Sequence, residues 1–189
     1  MRAAVLPIAA ALVLAGCQSA AEKRAAETGE IELTNATTAE VSGVAKAARK
    51  KTEMQPGEWE TTMQVVTADL SGYPAGADRD AQLAAVKRQE RHATKCQTAA
   101  DLKPLDIDNL EKVAGTCTFP HYVQKGGKLD VEIHCGQPGG PQTVVLANGT
   151  MGKTGFDVVI DQKSGTQGQS GYAAIRLRAT GRRIGLCQA

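Results

Sequence analysis

The chain has 189 residues, a formal net charge of +2 and a hydrophobic fraction of 42%, but 30 of its residues are alanine. Leu, Ile, Val and Phe together number 36, or 19%, just under the roughly 20% at which a packed core becomes doubtful; the near-neutral charge nevertheless argues against disorder. Length sets one domain with tails, the charge balance excludes a basic nucleic-acid surface, and no apolar run is long enough to span a bilayer.

Met1-Arg2 and the apolar stretch 3–15 have the flank and length of a signal-peptide h-region. The stretch ends Leu14-Ala15-Gly16-Cys17 and resembles a bacterial lipobox. That resemblance implies a diacylated Cys17 thiol, removal of residues 1–16 and acylation of the new amino terminus, so that anchoring in the membrane is effectively permanent. Gln18 and Ser19 follow, with no Asp directly after the cysteine. By likeness to enteric sorting rules, this favours the outer membrane over the inner, on the periplasmic side of the bacterial cell envelope. Four cysteines remain: Cys96, Cys117, Cys135 and Cys187. An even number in an oxidising compartment reads as two disulfides, which offset a thin core.

Residues 17–53 read as a lipid-anchored tether. From 18 to 53 the chain holds no aromatic residue, and only Ile31, Leu33, Val41 and Val44 are strongly apolar. As a flexible coil it would reach roughly 30–35 Å. Thr37-Thr38-Ala39-Glu40 has capping-box spacing, and Val41, Val44, Ala45 and Ala48 recur at helical intervals, which places a helix at about 38–51. Its apolar face is small, so it either docks on the domain or frays. Arg49, Lys50 and Lys51 suit a solvated helix end.

Residues 54–189 read as a disulfide-stapled β domain. Trp59, Thr61, Met63 and Val65 alternate with polar residues and predict a strand over 58–66. Asp78 or Asp80 can cap a helix running to about Arg91, and a short strand should carry Cys96. Residues 101–114 read as a loop whose Leu105, Ile107, Leu110 and Val113 cover an end of the sheet. Strands then follow one another at 116–124, 128–135, 142–151, 156–161 and 172–180, with Gly126-Gly127 a two-residue hairpin signal and Asn148-Gly149 a bend or bulge. The fold class is therefore mainly β: an antiparallel meander sheet, cupped or closed into a small barrel, with one or two short helices and a helical N-terminal tether.

Partners across a hairpin turning at Gly126-Gly127 have residue numbers summing to 253, and Cys117 with Cys135 sums to 252. One β-bulge removes the gap, so Cys117–Cys135 is the expected bond and Cys96–Cys187 follows by elimination, the other two connectivities staying open.

The lipobox, the run Pro56-Gly57-Glu58-Trp59-Glu60, the spaced cysteines and the closing Arg182-Arg183-Ile184-Gly185-Leu186-Cys187 occur in an order that resembles the uncharacterised bacterial lipoproteins grouped as domain of unknown function 3617. The resemblance spans about 54–189. It implies an exported, cysteine-bearing domain and supplies no catalytic residues.

The residues themselves suggest no enzyme. There is no G-x-S-x-G, and every serine falls in the tether or in turns. The glycine pairs suit turns, not phosphate cradles. His121 and His134 lie near Cys117 and Cys135, but alternation turns His134 and Cys135 to opposite faces and oxidation consumes the thiolates, so no metal and no cofactor are expected. Arg176, Arg178, Arg182 and Arg183 form the one charge cluster, a solvated face or a surface for an acidic partner. The expected function is a non-catalytic binding module held to the membrane through lipid at Cys17, meeting an unknown envelope protein or polymer and no nucleic acid. Two alternatives are a lysozyme-inhibitor-like defence lipoprotein presenting the loop 164–172, and a small apolar ligand carrier if the sheet closes around a cavity.

Overall fold

The computed structural model describes residues 19–52, 54–98, 101, 115–137 and 140–187. Cys17, the signal segment and the four apolar residues of the 101–114 loop therefore lie outside the described residues.

The elements in chain order are α1 (Ala20–Thr28), β1 (Ile31–Thr37), α2 (Thr38–Thr52), β2 (Gly57–Asp69), α3 (Ala77–Lys87), β3 (Arg91–Gln97), β4 (Thr116–Lys125), β5 (Lys128–Gly136), β6 (Thr143–Met151), β7 (Gly155–Ser164) and β8 (Ala173–Gly185). All eight strands form one antiparallel sheet in the order β1-β4-β5-β6-β7-β8-β2-β3. The sheet is cupped and does not close into a barrel. From β4 to β8 it is the expected meander, each strand pairing with the next.

The Gly126-Gly127 turn has φ of 57° and 76°, the left-handed region that a two-residue hairpin needs and that glycine adopts without strain. From that turn the β4–β5 register holds as far as His121↔Glu132. It then shifts once, beside Phe119 and Pro120, before Thr118↔His134 and Cys117↔Cys135. Pro120 has no N–H to offer a ladder, so the irregularity falls where the chain can best accept it. The shift brings Cys117 directly opposite Cys135. These two are disulfide-bonded with Cα atoms 4.1 Å apart, and Cys96 is bonded to Cys187 with a Cα separation of 5.3 Å.

Residues 19–52 are not a tether, which corrects the reading from composition. Ser19 caps α1 in a full capping box with Glu22. β1 pairs with β4 from Ile31↔Gln124 to Thr37↔Thr118. Thr37 opens α2 in a second box: its N–H donates to Glu40 Oε2 at 2.8 Å, and the Glu40 N–H donates back to Thr37 Oγ1 at 3.3 Å. These bonds from the Thr37 backbone and hydroxyl hold the Glu40 carboxyl below its ordinary range. α2 covers 38–52, and it docks rather than frays. Ala25, Ile31, Ala36, Val41, Val44 and Ala48 are buried against Phe119, Tyr122, Val131, Ile133 and the Cys117–Cys135 bond. Burial without a charged partner pushes the Tyr122 hydroxyl up to about 12. The segment supplies half of the main core, although its strand carries only two strong apolar residues.

Smaller differences have local causes. α3 begins at Ala77 after Gly76, with no side-chain cap from either aspartate. Asn148-Gly149 marks neither bend nor bulge; β6 runs straight through it in register with both neighbours. A Cβ on Gly149 would lie 2.1 Å from the Asp157 carbonyl oxygen, so glycine is there for close strand approach on the concave face.

Candidate functional site

The two halves of the concave face differ. α1 and α2 cover the half made by β1, β4, β5 and part of β6. Across β6, β7, β8 and β2 the same face forms an apolar trough of about 380 Å³. Its floor follows from strand alternation: Trp59, Thr61 and Met63 on β2, Ala179 on β8, Phe156, Val158 and Ile160 on β7, Ala147 and Met151 on β6. Met54 closes one end, while Arg91, Gln97 and Asp101 supply polar groups at the β3 side.

Trp59 anchors the trough. It is fully buried, and its indole N–H donates to the Gln55 carbonyl at 2.9 Å, so the ring presents carbon to the trough and leaves no polar group unmet. Phe156 stacks near it at 6.4 Å between ring centroids. Phe156 also lies over Gly181, where an added Cβ would come within 2.2 Å of the ring. A glycine on the neighbouring strand thus lets the aromatic ring lie flat. Three methionines, Met54, Met63 and Met151, complete the wall with flexible thioether chains that adapt to irregular shapes.

The convex face carries the charges. Each arginine of the predicted cluster has a partner within the chain. Arg176 grips Asp161 through two bonds of 2.7 and 2.9 Å, and Arg178 grips Asp157 through two of 2.9 and 2.5 Å. Arg182 donates to Glu60 at 2.6 Å, and Arg183 to the Pro56 carbonyl at 2.8 Å. Arg176, Arg178 and Arg182 are therefore a neutralised ladder of cross-strand pairs, whereas Arg183 stands opposite Trp59 on the other face of the sheet, bonded to an uncharged carbonyl. The pairs form because the strand of Asp157 and Asp161 lies next to the arginine strand. His134 meets Glu132 at 2.6 Å and His121 meets Asp130 at 2.9 Å on this face, away from the sulfurs. Among the described residues no group of three or more His, Cys, Asp or Glu could hold a metal ion.

The arginine hydrogen bonds hold the Asp157 and Asp161 carboxyls below their ordinary range. Depressed folded-state values give stability that is present above the unfolded carboxylate range, about pH 4, and lost as pH falls through the lowered values. Both pairs are solvent-exposed, so each contributes little. The Asp157→Asn/Asp161→Asn double variant should therefore show a shallower fall of Tm in acid and a nearly unchanged Tm at neutral pH. A melting series against pH checks both limbs.

The trough was missed at the sequence level, although its signal was there. Trp59/Thr61/Met63 and Phe156/Val158/Ile160 each alternate onto one face, but nothing local shows that β7, β8 and β2 stand side by side. The loop 164–172 is an exposed turn tied down at its ends. Gly171 N–H donates to the Gly72 carbonyl at 2.8 Å, and Gly165 N–H to that of Gln142 at 3.1 Å.

Fold and site define a class: an open, disulfide-bonded antiparallel sheet with one half of a face covered by helices and the other half lining an apolar trough. A family model described as a protein of unknown function, DUF3617, matches residues 54–187, and the chain belongs to that family. The matched span contains both disulfides and every residue lining the trough; α1, β1 and α2 precede it. No curated protein and no solved structure matches the chain.

Proposed function

We propose that the protein is a non-catalytic binding module of the bacterial envelope, held to the membrane by lipid at Cys17, which takes up a flexible apolar ligand of the acyl-chain kind in the trough. The observation that carries the reading is the trough itself. Its volume of about 380 Å³ falls within the range of small-molecule sites, and Trp59, Phe156 and three methionines line it. Adaptable methionine walls and a floor of Val158, Ile160 and Ala179 suit a chain better than a rigid polar substrate. An open sheet does not meet the condition set for an enclosed carrier, so the ligand would lie along a groove.

Trp59 is the sole tryptophan, which makes the test direct. A dansyl-labelled fatty acid titrated into the protein should give saturable energy transfer from Trp59, weakened by Phe156→Ala. The absence of saturable transfer from a folded protein would overturn the proposal.

A further inference from the structure

We propose that the end of the sheet bearing the β5–β6 and β7–β8 loops is a docking surface for the phospholipid headgroups of the anchoring membrane. The proposal rests on lipidation of Cys17 and on the finding that residues 19–52 are folded. Without a coil tether, the acylated residue stands two positions before Ser19, the N-cap of α1. Two residues span at most about 7 Å. The membrane is therefore held against whichever part of the domain surrounds Ser19.

The packing of the helices identifies that part. Along α1, Glu22 lies against Gly43 and Gly29 lies against Lys51, so α1 and α2 run parallel. α2 starts where β1 ends, and its Thr38 hydroxyl donates to the Cys117 carbonyl at 3.1 Å. Ser19, nearly one turn before Glu22, is thus level with the first turn of α2. That is the end of the sheet where β4 begins, β5 ends, β6 begins, β7 ends, β8 begins and β2 ends.

The loops at this end are uncharged, and the carboxylates beside them, Glu22, Glu40 and Asp69, are each held by local backbone N–H groups. The stretches 70–77, 136–143 and 164–173 contain no Asp, Glu, Lys, Arg or His. They offer Gln, Ser, Thr and backbone groups, with the half-buried Tyr73 among them, and tyrosine favours the headgroup level, while Tyr172 is buried beneath. The charged helix α3 flanks the surface beside the projecting end of β2. At the opposite end, Glu30, Lys51, Lys125 and Lys153 gather around the hairpin turns. The uncharged loops can rest among headgroups without desolvating ions, whereas the lysine-bearing turns of the opposite end cannot. Docked in this way, the end of the trough closed by Met54 points away from the bilayer.

The test uses full-length protein processed in bacteria and returned to vesicles of phosphatidylethanolamine and phosphatidylglycerol with brominated acyl chains. Mass spectrometry of the N-terminal peptide first establishes whether Cys17 carries lipid; an unmodified Cys17 overturns the anchoring reading and this proposal with it. Two variants each add one tryptophan at an exposed turn, Gln167→Trp at the proposed surface and Lys153→Trp at the far end. In lipidated protein the added tryptophan at 167 should be quenched severalfold more than that at 153, and a long Gly/Ser spacer inserted between Gln18 and Ser19 should erase the difference. Equal quenching of the two in lipidated protein without the spacer, or stronger quenching at 153, overturns the docking proposal and leaves the anchor standing.

Discussion

Deleting residues 19–52 is expected to leave residues 54–189 unable to persist as a soluble, cooperatively folded monomer, even though the family span is intact. The deletion removes Ile31, Ala36, Val41, Val44 and Ala48 and uncovers Phe119, Tyr122, Val131 and Ile133, all of them buried in one cluster. At about 1.5–3 kcal/mol for each large side chain whose burial is lost, the total is roughly 10 kcal/mol. A domain of this kind has a net stability of only about 5–15 kcal/mol. The same deletion strips β1 from β4 and bares an edge able to recruit other chains. Size-exclusion chromatography and circular dichroism melting of the truncated chain provide the measurement. A monomer that melts cooperatively near the full-length Tm would show that the N-terminal unit is an accessory to the core and not a part of it.

Reduction of the disulfides should have the second large effect. The Cys96–Cys187 bond links residues 91 apart and Cys117–Cys135 residues 18 apart. In the chain-entropy model these loops contribute about 4.5 and about 3 kcal/mol. Together they approach the whole net stability, and for a chain of this size each kcal/mol shifts Tm by about 2–4 °C. Melting with and without a phosphine reductant should therefore differ by roughly 15–30 °C. Replacing Cys96 and Cys187 by serine should cost more through loop entropy. Replacing the buried Cys117 and Cys135 by alanine adds a packing loss to a smaller entropy term. An unchanged Tm after complete reduction would mean that burial alone holds the sheet, against the scarcity of Leu, Ile, Val and Phe.

What could be read from the sequence was what local chemistry controls. Strands with a clean period of two, such as Leu129, Val131, Ile133 and Cys135 on β5, declared both their type and their buried face. The Gly126-Gly127 turn fixed a register closely enough to nominate the Cys117–Cys135 pair, and the structure supplies the single irregularity, next to Pro120, that this arithmetic required. β1 was illegible because its burial is borrowed from β4. Its own sequence has Ile31 and Leu33, then polar residues, with Asn35 at a positive φ of 50° opposite Pro120. The trough and the arginine–aspartate ladder were illegible for another reason. Both depend on strands far apart in the chain, β2 beside β8 and β7 beside β8, and alternation within a strand says nothing of its neighbours.

The strand order carries a temporal consequence. β4 to β8 can zip up as successive hairpins, each closing a short loop, and Cys117 meets Cys135 within the first of them. β2 and β3 emerge early, but β2 pairs with β8, so this hairpin finds its place only when the last strand of the chain arrives. Pairing over such a distance is slow, because a large loop must close before any contact rewards it. Until then Cys96 has no Cys187 within reach, and Trp59 has no Phe156 beside it. Oxidation of the long-range disulfide therefore marks the completion of the molecule, and the trough is the last feature to come into being.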